Sequence, residues 1–273
     1  MFKNISVILK NMFKIYDSPV SVITDNVDVS EDEEEKNLVA ESDLQSELTS
    51  EASCFMRDIA ATDEWQSSKA VFPVITGKGE NGKLIIRDLA YFPNMLIESR
   101  PDCNKFAFLR SMMLCLAYSY MSNNYEHRRS IYLFDDKKEE FAKYHYLKPD
   151  YIVPFVCKSE DSYEKLMNLE QALNYRRKLL ERYGMNRDMS KLQTFEFLRY
   201  GSIFRDREGE DTTIIVIISE LAELKPDALS CLQRILDFGK YVGIFTIVAT
   251  DYPDSGIITE RLKSVIPDII SLA

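Results

Sequence analysis

The sequence predicts an α/β fold, with a mostly parallel β-sheet, helices on both faces and a small β-hairpin in front of it. From residue 94 onward, apolar segments of strand length alternate with longer segments of helical periodicity. Such alternation is typical of crossover connections between parallel strands. The run TTIIVIISE (212–220) contains a continuous apolar segment, IIVII, as expected for a strand buried on both faces. The turn GKGENGK (77–83) has the glycines and asparagine that a hairpin needs for positive φ angles.

The elements follow from the same patterns, taken in chain order. A short helix and a polar turn occupy 53–70, and hairpin strands flank the 77–83 turn. The remaining predicted elements are strands at 94–98, 130–136, 151–156, 212–220, 243–250 and 266–273, and helices at 102–122, 161–183 and 226–238. Periodicity alone also allows another doubly wound fold, such as a flavodoxin-like one.

Composition sets limits on the function. The 273 residues are 45% hydrophobic and 29% charged, as in an ordinary globular protein of one or two domains. The net charge of −10 argues against non-specific coating of nucleic acid. Five cysteines without close pairing predict reduced thiols in a cytoplasmic protein, and two isolated histidines predict no metal site.

The N-terminal region differs in composition from the rest. Residues 1–29 begin with an amphipathic segment that suits peripheral membrane contact, docking on a partner, or a weakly ordered terminal helix. Residues 30–51 are acidic and lack aromatics, which predicts a flexible linker. Between residues 31 and 51 lie nine carboxylates and one lysine, which leaves about −2 for the rest of the chain.

Five sequence blocks carry a family resemblance. They are FPVITGKGENGKLIIRDLAYFPNMLI (72–97), IYLFDDK (131–137), LNYRRKLLERYGMNRDM (173–189), IIVIISELAEL (214–224) and GIFTIVATDYPDSGIITERLKSVIPDII (243–270). In this order they resemble the motor domain of the FtsK/SpoIIIE family of DNA translocases. The resemblance implies that residues 52–273 form a RecA-like P-loop NTPase domain. It also implies assembly as a ring around duplex DNA. In the family a winged-helix module follows this domain, and we expect this chain to lack it.

The resemblance also assigns site positions. The family's phosphate loop, Gly-x-x-Gly-x-Gly-Lys-Ser, falls on SRPDCNKF (99–106). The family's Walker B pair falls on Ser219 and Glu220. Its sensor segment falls on Thr250, which is followed by Asp251-Tyr252 where the family has Gln-Arg. The degenerate nucleotide-binding positions are therefore Ser99, Asp102 and Asn104 for the glycines, Lys105 for the lysine, Phe106 for the Mg²⁺-binding hydroxyl, Ser219 for the Walker B aspartate, and Thr250.

These substitutions predict a damaged ATPase. Asp102 places a carboxylate beside the polyphosphate position, at a cost of roughly 3 kcal/mol per like-charge pair at ~5 Å. Phe106 cannot bind a metal, and Glu220 stays as the remnant of the catalytic, water-activating carboxylate. Two plainer interpretations of these residues stay open. Lys105 is equally well explained as a solvated lysine at a strand end, and Glu220 as a cap for the next turn.

Three functions compete on this evidence. The first is a catalytically inactive relative, with no bound cofactor, acting as a structural or regulatory partner of a ring ATPase or in a homo-oligomer. The second is an active ATP- and Mg²⁺-dependent DNA translocase in chromosome segregation and cell division. The third is a monomeric α/β protein-binding module. The predicted helix 161–183 carries a basic stretch, from which we expect weak binding of duplex DNA. Its residues are Arg176, Arg177, Lys178 and Arg182. The alternative is that this stretch is a solvated helix face.

Overall fold

The chain separates into two units, residues 1–68 and 69–273, in the computed structural model of the protein. The structure describes Met56 and Phe141 as single residues, together with 58–101, 103–122, 128–135, 152–157, 159–182, 212–254, 256, 258–266 and 268–272. The predicted amphipathic segment 1–29 and acidic linker 30–51 lie outside the described residues. No helix within the described ranges has the length and apolar character needed to cross a membrane.

In the first unit, helix α1 (Asp63–Ser67) begins where the sequence predicted a polar turn. The side chain of Thr62 caps it by accepting a hydrogen bond from the Trp65 amide at 3.3 Å. The same hydroxyl donates to the carbonyl oxygen of Ile59 at 2.7 Å. A threonine followed by two acidic residues is a helix-start signal, because the hydroxyl satisfies a free amide and the carboxylates favour the positive end of the helix dipole.

The second unit opens with the predicted hairpin. Strands β1 (Pro73–Lys78) and β2 (Leu84–Asp88) pair antiparallel. Gly82 in the turn has φ 76°, a left-handed conformation that favours glycine. At the base of the hairpin, the carboxylate of Asp88 accepts hydrogen bonds from the amides of Val71, Phe72 and Ala90, which fixes the chain on both sides of it.

The main sheet of this unit has six strands, and each adjacent pair is parallel. The strands are β3 (Asn94–Ser99), β4 (Arg128–Phe134), β5 (Ile152–Cys157), β6 (Thr212–Ile218), β7 (Ile244–Thr250) and β8 (Asp268–Leu272). Their order in the sheet is β5-β4-β6-β7-β3-β8. The apolar strand β6 therefore lies inside the sheet, between β4 and β7.

Helices connect these strands. They are α2 (Lys105–Ser122), α3 (Ser159–Arg182), α4 (Pro226–Phe238) and α5 (Glu260–Val265), with 3-10 turns at Leu221–Glu223 and Gly239–Val242. Several predicted boundaries differ from the observed ones by two or three residues. The first long helix begins at Lys105, not at 102, and the strand predicted to end at 136 ends at Phe134.

Two hydrophobic cores lie on opposite faces of the sheet. In β6, Ile214, Val216 and Ile218 pack in one core with residues of α3, α4 and α5. Ile215 and Ile217 pack in the other core with residues of α2 and of the hairpin. Successive side chains of a strand point to opposite faces, so a strand with helices on both sides must be apolar at every position. The predicted fold class is confirmed.

A buried amide joins the sheet to two helices. Asn94, the first residue of β3, is 1% exposed. Its Nδ2 atom donates to the carbonyl oxygens of Leu236 in α4 and Val265 in α5, both at 2.9 Å. These carbonyls lie in the last turns of their helices, where backbone partners run out. One side chain therefore fixes both helix ends against the start of the strand that leads to the site.

Candidate functional site

The candidate site lies where three neighbouring strands end. The loop 99–104 begins at the last residue of β3, Ser219 and Glu220 follow β6, and Thr250 ends β7. Because β3 pairs with β7 and β7 pairs with β6, all parallel, their carboxyl ends meet at one edge of the sheet. Such an edge is the usual ligand-binding position in open α/β sheets.

The loop makes hydrogen bonds within itself. The Cys103 amide donates to the carbonyl oxygen of Arg100, and the Lys105 amide donates to that of Cys103, both at 2.9 Å. Asn104 Oδ1 accepts the amide of Ala107 at 2.9 Å and so caps α2. The buried hydroxyl of Ser99 donates to the Arg100 carbonyl. Asp102 lies outside the described residues.

Lys105 is buried and paired with two carboxylates. Only 2% of the residue is exposed. Its Nζ atom lies 2.5 Å from Oε2 of Glu220 and 2.7 Å from Oδ2 of Asp251. It also lies 5.5 Å from the ring centroid of Phe106, whose ring meets that of Phe141 edge to face. The interpretation of Lys105 as a solvated lysine was therefore wrong.

Glu220 accepts four hydrogen bonds. Oε1 accepts from the Ala222 amide at 2.9 Å and the Thr250 hydroxyl at 2.7 Å, and Oε2 accepts from Lys105 Nζ and the Asp251 amide, the latter at 2.9 Å. The Ala222 contact caps the 3-10 turn, so the capping interpretation is confirmed. Burial raises the pKa of Glu220, but the hydrogen bonds, led by that of Lys105, outweigh it and hold the pKa below its usual range.

The cluster has excess negative charge. Lys105 contributes one positive charge, and Glu220 and Asp251 contribute two negative charges, so the net charge is about −1 when both carboxylates are ionised. The side chain of Asp251 is 23% exposed, compared with 10% for Glu220 and 3% for Lys105. Its Oδ1 atom is buried and makes no hydrogen bond among the described residues. Asp251 thus lies nearest to solvent of the three.

Ser219 lies at the deep end of the site. It is 2% exposed, and its amide donates to the carbonyl oxygen of Phe134 at 3.0 Å. This bond continues the parallel ladder between β6 and β4 by one residue. Thr250 is also buried, and its hydroxyl accepts the Tyr252 amide at 3.0 Å while donating to Glu220. The structure therefore brings Lys105, Glu220 and Thr250 into contact, with Ser219 adjacent in the chain.

The four basic residues predicted to contact DNA do not share one surface. Arg176 is buried, and its Nη1 atom donates to the carbonyl oxygen of Val242 at 2.8 Å. Burial lowers the pKa of Arg176 to about 10, opposed by the charge interaction with Tyr132. The Arg177 guanidinium lies 4.6 Å from the ring centroid of Phe238. Arg176 therefore fixes α3 on the protein and is not accessible to a DNA phosphate.

The other two basic residues are exposed. Lys178 and Arg182 lie on the solvent side of the last turns of α3. Residues four apart on a helix face the same direction, so these two cations form a small basic patch. Their contact with DNA stays a prediction.

Asp251 is the residue whose role the sequence reasoning missed. It was recognised only as a departure from the family's Gln-Arg pair. A signal was present, because a carboxylate directly after β7 must lie beside whatever follows the adjacent strand β3. Lys105 begins the helix that follows β3. Strand adjacency and opposite charge together could have predicted the pair.

Residues 56–255 match the model of the FtsK/SpoIIIE family. The chain belongs to this family. It is 25% identical over 222 residues to a DNA translocase FtsK of Campylobacter jejuni, covering 80% of this chain and 22% of the relative. It is 27% identical over 240 residues to DNA translocase FtsK of Rickettsia prowazekii, covering 79% of this chain and 32% of the relative. The chain thus spans between a fifth and a third of the length of these FtsK proteins.

Solved structures of P-loop ATPases share the fold. The conjugation coupling protein TcpA of pCW3, in its monomer form with ATPγS, matches with a TM-score of 0.55 at 19% identity, covering 77% of this chain and 56% of TcpA. The cytoplasmic domain of EssC matches with a TM-score of 0.54 at 17% identity, covering 74% of this chain and 37% of EssC. At these identities the likeness shows the RecA-like P-loop fold alone.

Proposed function

We propose that this chain is a non-catalytic member of the FtsK/SpoIIIE family that acts as a structural or regulatory partner of a ring ATPase. The observation that carries the proposal is the environment of Glu220. An ionised carboxylate has about four acceptor positions, and four donors already contact this one. A general base needs a free lone pair within hydrogen-bond reach of the attacking water. Glu220 has none to offer unless an existing bond breaks.

The phosphate loop supports the same proposal. In a working loop, backbone amides turn toward the phosphates and a hydroxyl binds Mg²⁺. Here the amides of Cys103 and Lys105 bond to carbonyls inside the loop. At the Mg²⁺ hydroxyl position stands Phe106, whose ring packs against Phe141. A hydroxyl, Ser219, stands in place of the second metal-anchoring carboxylate. These residues do not fit a Mg²⁺-nucleotide.

The setting of such domains in similar proteins supports a partner role. The FtsK relatives are three to five times longer than the matched region. EccC of Thermomonospora curvata matches with a TM-score of 0.53 at 14% identity, covering 72% of this chain and 33% of EccC. Its structure was solved as "ATPases 2 and 3", so that protein carries several ATPase units in one chain. A unit that does not hydrolyse ATP can still act in such an assembly by positioning a neighbouring unit that does.

Phosphate release from Mg-ATP, measured with and without duplex DNA, tests the loss of catalysis. We expect no turnover above the level of the Lys105→Ala variant, whose ammonium is removed. Turnover by the wild-type chain that disappears in Lys105→Ala would overturn the proposal.

Mixing the chain with an intact FtsK/SpoIIIE motor domain from the same genome tests the partner role. We expect the two to co-migrate on size exclusion and the motor's ATPase rate to change. Two independent peaks with an unchanged rate would contradict it.

An active DNA translocase is the second candidate. The similarity to proteins named DNA translocase FtsK favours it. The same phosphate-release assay separates the two functions, because a translocase must hydrolyse ATP faster when duplex DNA is present. A monomeric protein-binding module, the third hypothesis, predicts a single monomeric species by analytical ultracentrifugation, whether or not the intact motor is added.

A further inference from the structure

We propose that Asp251 is an internal anion that occupies the phosphate-binding lysine and thereby determines that the site excludes phosphate-bearing ligands. The inference rests on the proposed non-catalytic function and deepens it, because it assigns the exclusion to one side chain. Hydrolysis requires several groups, whereas binding of a polyphosphate requires first that Lys105 be free to meet it.

The hydrogen bonds distinguish the two carboxylates that hold the lysine. Glu220 is fixed by four contacts, two of them from backbone amides. The carboxylate of Asp251 contacts Lys105 through Oδ2, and its Oδ1 atom makes no hydrogen bond among the described residues. Glu220 is therefore part of the framework of the site, and Asp251 holds the position that another anion could take.

Burial gives the direction of approach. Exposure of the side chains increases from Lys105 through Glu220 to Asp251, at 3%, 10% and 23%. A ligand that approaches from the exposed side of the cluster therefore meets Asp251 before it reaches the ammonium group. Asp251 Oδ2 lies 2.7 Å from Nζ, a charge-assisted hydrogen-bond distance that a phosphate oxygen would also adopt. The carboxylate thus stands where the first phosphate oxygen would bind.

Charge decides the outcome. Lys105 and Glu220 together are neutral, and Asp251 makes the cluster negative. A single like charge at about 5 Å, in surroundings of effective dielectric near 20, weakens anion binding by roughly 100-fold for each unit of ligand charge. An amide of the same shape has no such repulsion and adds an N–H donor. Asp251→Asn should therefore convert an excluding site into one that accepts an anion.

The test measures binding of tripolyphosphate by isothermal titration calorimetry, without Mg²⁺ and at physiological salt. The matched control is Asp254→Asn, which makes the same charge change at an exposed carboxylate three residues further on. We expect Asp251→Asn to bind at least 10-fold more tightly than the wild-type chain, Asp254→Asn to match the wild type, and Asp251→Asn combined with Lys105→Met to lose the gain. Circular dichroism verifies folding, and Asp251→Ser replaces the amide variant if that variant does not fold.

Three results would overturn the inference. They are wild-type binding as tight as that of the Asp251 variant, an equal gain in Asp254→Asn, or no gain in a folded Asp251 variant. The last result leaves the non-catalytic proposal standing, because the closed loop could still exclude phosphates. Conversely, Lys105-dependent hydrolysis by the wild-type chain refutes the proposed function, whatever the Asp251 variant binds. The two failures are therefore distinguishable.

Discussion

Replacement of Lys105 by methionine should strongly destabilise the second unit. Methionine keeps most of the side-chain volume and removes the charge, so the change isolates electrostatics. The two carboxylates of Glu220 and Asp251 would then face each other without the cation that lies between them. Removing one partner from a buried ionic cluster leaves uncompensated charge in a poorly solvated site.

The geometry sets the size of the effect. At an effective dielectric of 20, contacts of 2.5 and 2.7 Å are each worth about 6 kcal/mol before desolvation is subtracted. Desolvation offsets much of this, and breaking a buried ionic contact typically costs about 3–5 kcal/mol. The exposures of Lys105, Glu220 and Asp251 are all below a third, so solvent screening reduces the figure little. We therefore expect a loss of about 3–5 kcal/mol in the free energy of unfolding.

Urea denaturation followed by far-UV circular dichroism measures this loss. Tryptophan fluorescence is unsuitable, since the single tryptophan, Trp65, belongs to the first unit. With a slope of about 2 kcal/mol per molar urea, the midpoint should fall by roughly 1.5–2.5 M. The control is Lys263→Met, at an exposed lysine of α5. It should change stability by less than about 0.5 kcal/mol.

The pH dependence provides a second check on the same variant. The deficit of Lys105→Met should shrink as the pH falls toward 4.5, because Glu220 loses the lysine that lowers its pKa and its protonation removes one of the two uncompensated charges. A midpoint within 0.5 M of wild type at neutral pH, or a deficit that does not change with pH, would refute the reasoning.

Three further changes test other parts of the structure. Glu220→Gln should cost about 1–3 kcal/mol at pH 7. Because the folded pKa of Glu220 lies below its usual 4.5, its contribution is present above that pH and lost as the pH falls through the folded value, so acid titration of stability should show the two proteins converging. Gly239→Ala places a methyl group 2.8 Å from the backbone oxygen of Ile244; a loss of about 1–3 kcal/mol in thermal unfolding is expected, and an unchanged melting temperature would contradict the packing. Charge reversal at Lys178 and Arg182 should weaken duplex binding, measured by fluorescence anisotropy at low salt, whereas indifference to both reversals would exclude the α3 patch as the contact.

The strands of the sheet were predictable because each is marked by a run of apolar residues within its own segment of the sequence. The 214–218 segment is apolar at every position, and that pattern fits a central strand covered on both faces. The start of α2 was placed too early because a capping residue looks like any polar loop residue. Asn104 became recognisable as the cap only once its side chain was seen to accept the Ala107 amide.

The burial of Arg176 could also have been predicted from the sequence. It follows Leu166, Leu169 and Leu173 and precedes Leu180 at the spacing of one helix face. An arginine in the apolar stripe of a helix should be expected to find a buried acceptor, and here it finds the Val242 carbonyl. The basic run Arg176–Arg182 was interpreted as a possible DNA contact, although Arg176 lies on the apolar face of the helix.

The ionic cluster could not be predicted to the same degree. Lys105, Glu220 and Asp251 are far apart in sequence, and they meet only because β7 lies between β3 and β6. Strand order is a property of the whole sheet and leaves little trace in any one segment. The family resemblance supplied the positions of Lys105 and Glu220, but it treated Asp251 only as a lost residue.

The amide of Asn94 has a consequence for how the second unit fluctuates. Its two hydrogen bonds end on the last turns of α4 and α5, so neither helix terminus can fray without breaking a bond to the same side chain. The backbone amides of both termini should therefore exchange with deuterium in a single cooperative opening, with similar protection. Truncation to Asn94→Ala should release the two ends together, and a perturbation of either helix should reach the first residue of the strand whose far end carries the loop 99–104.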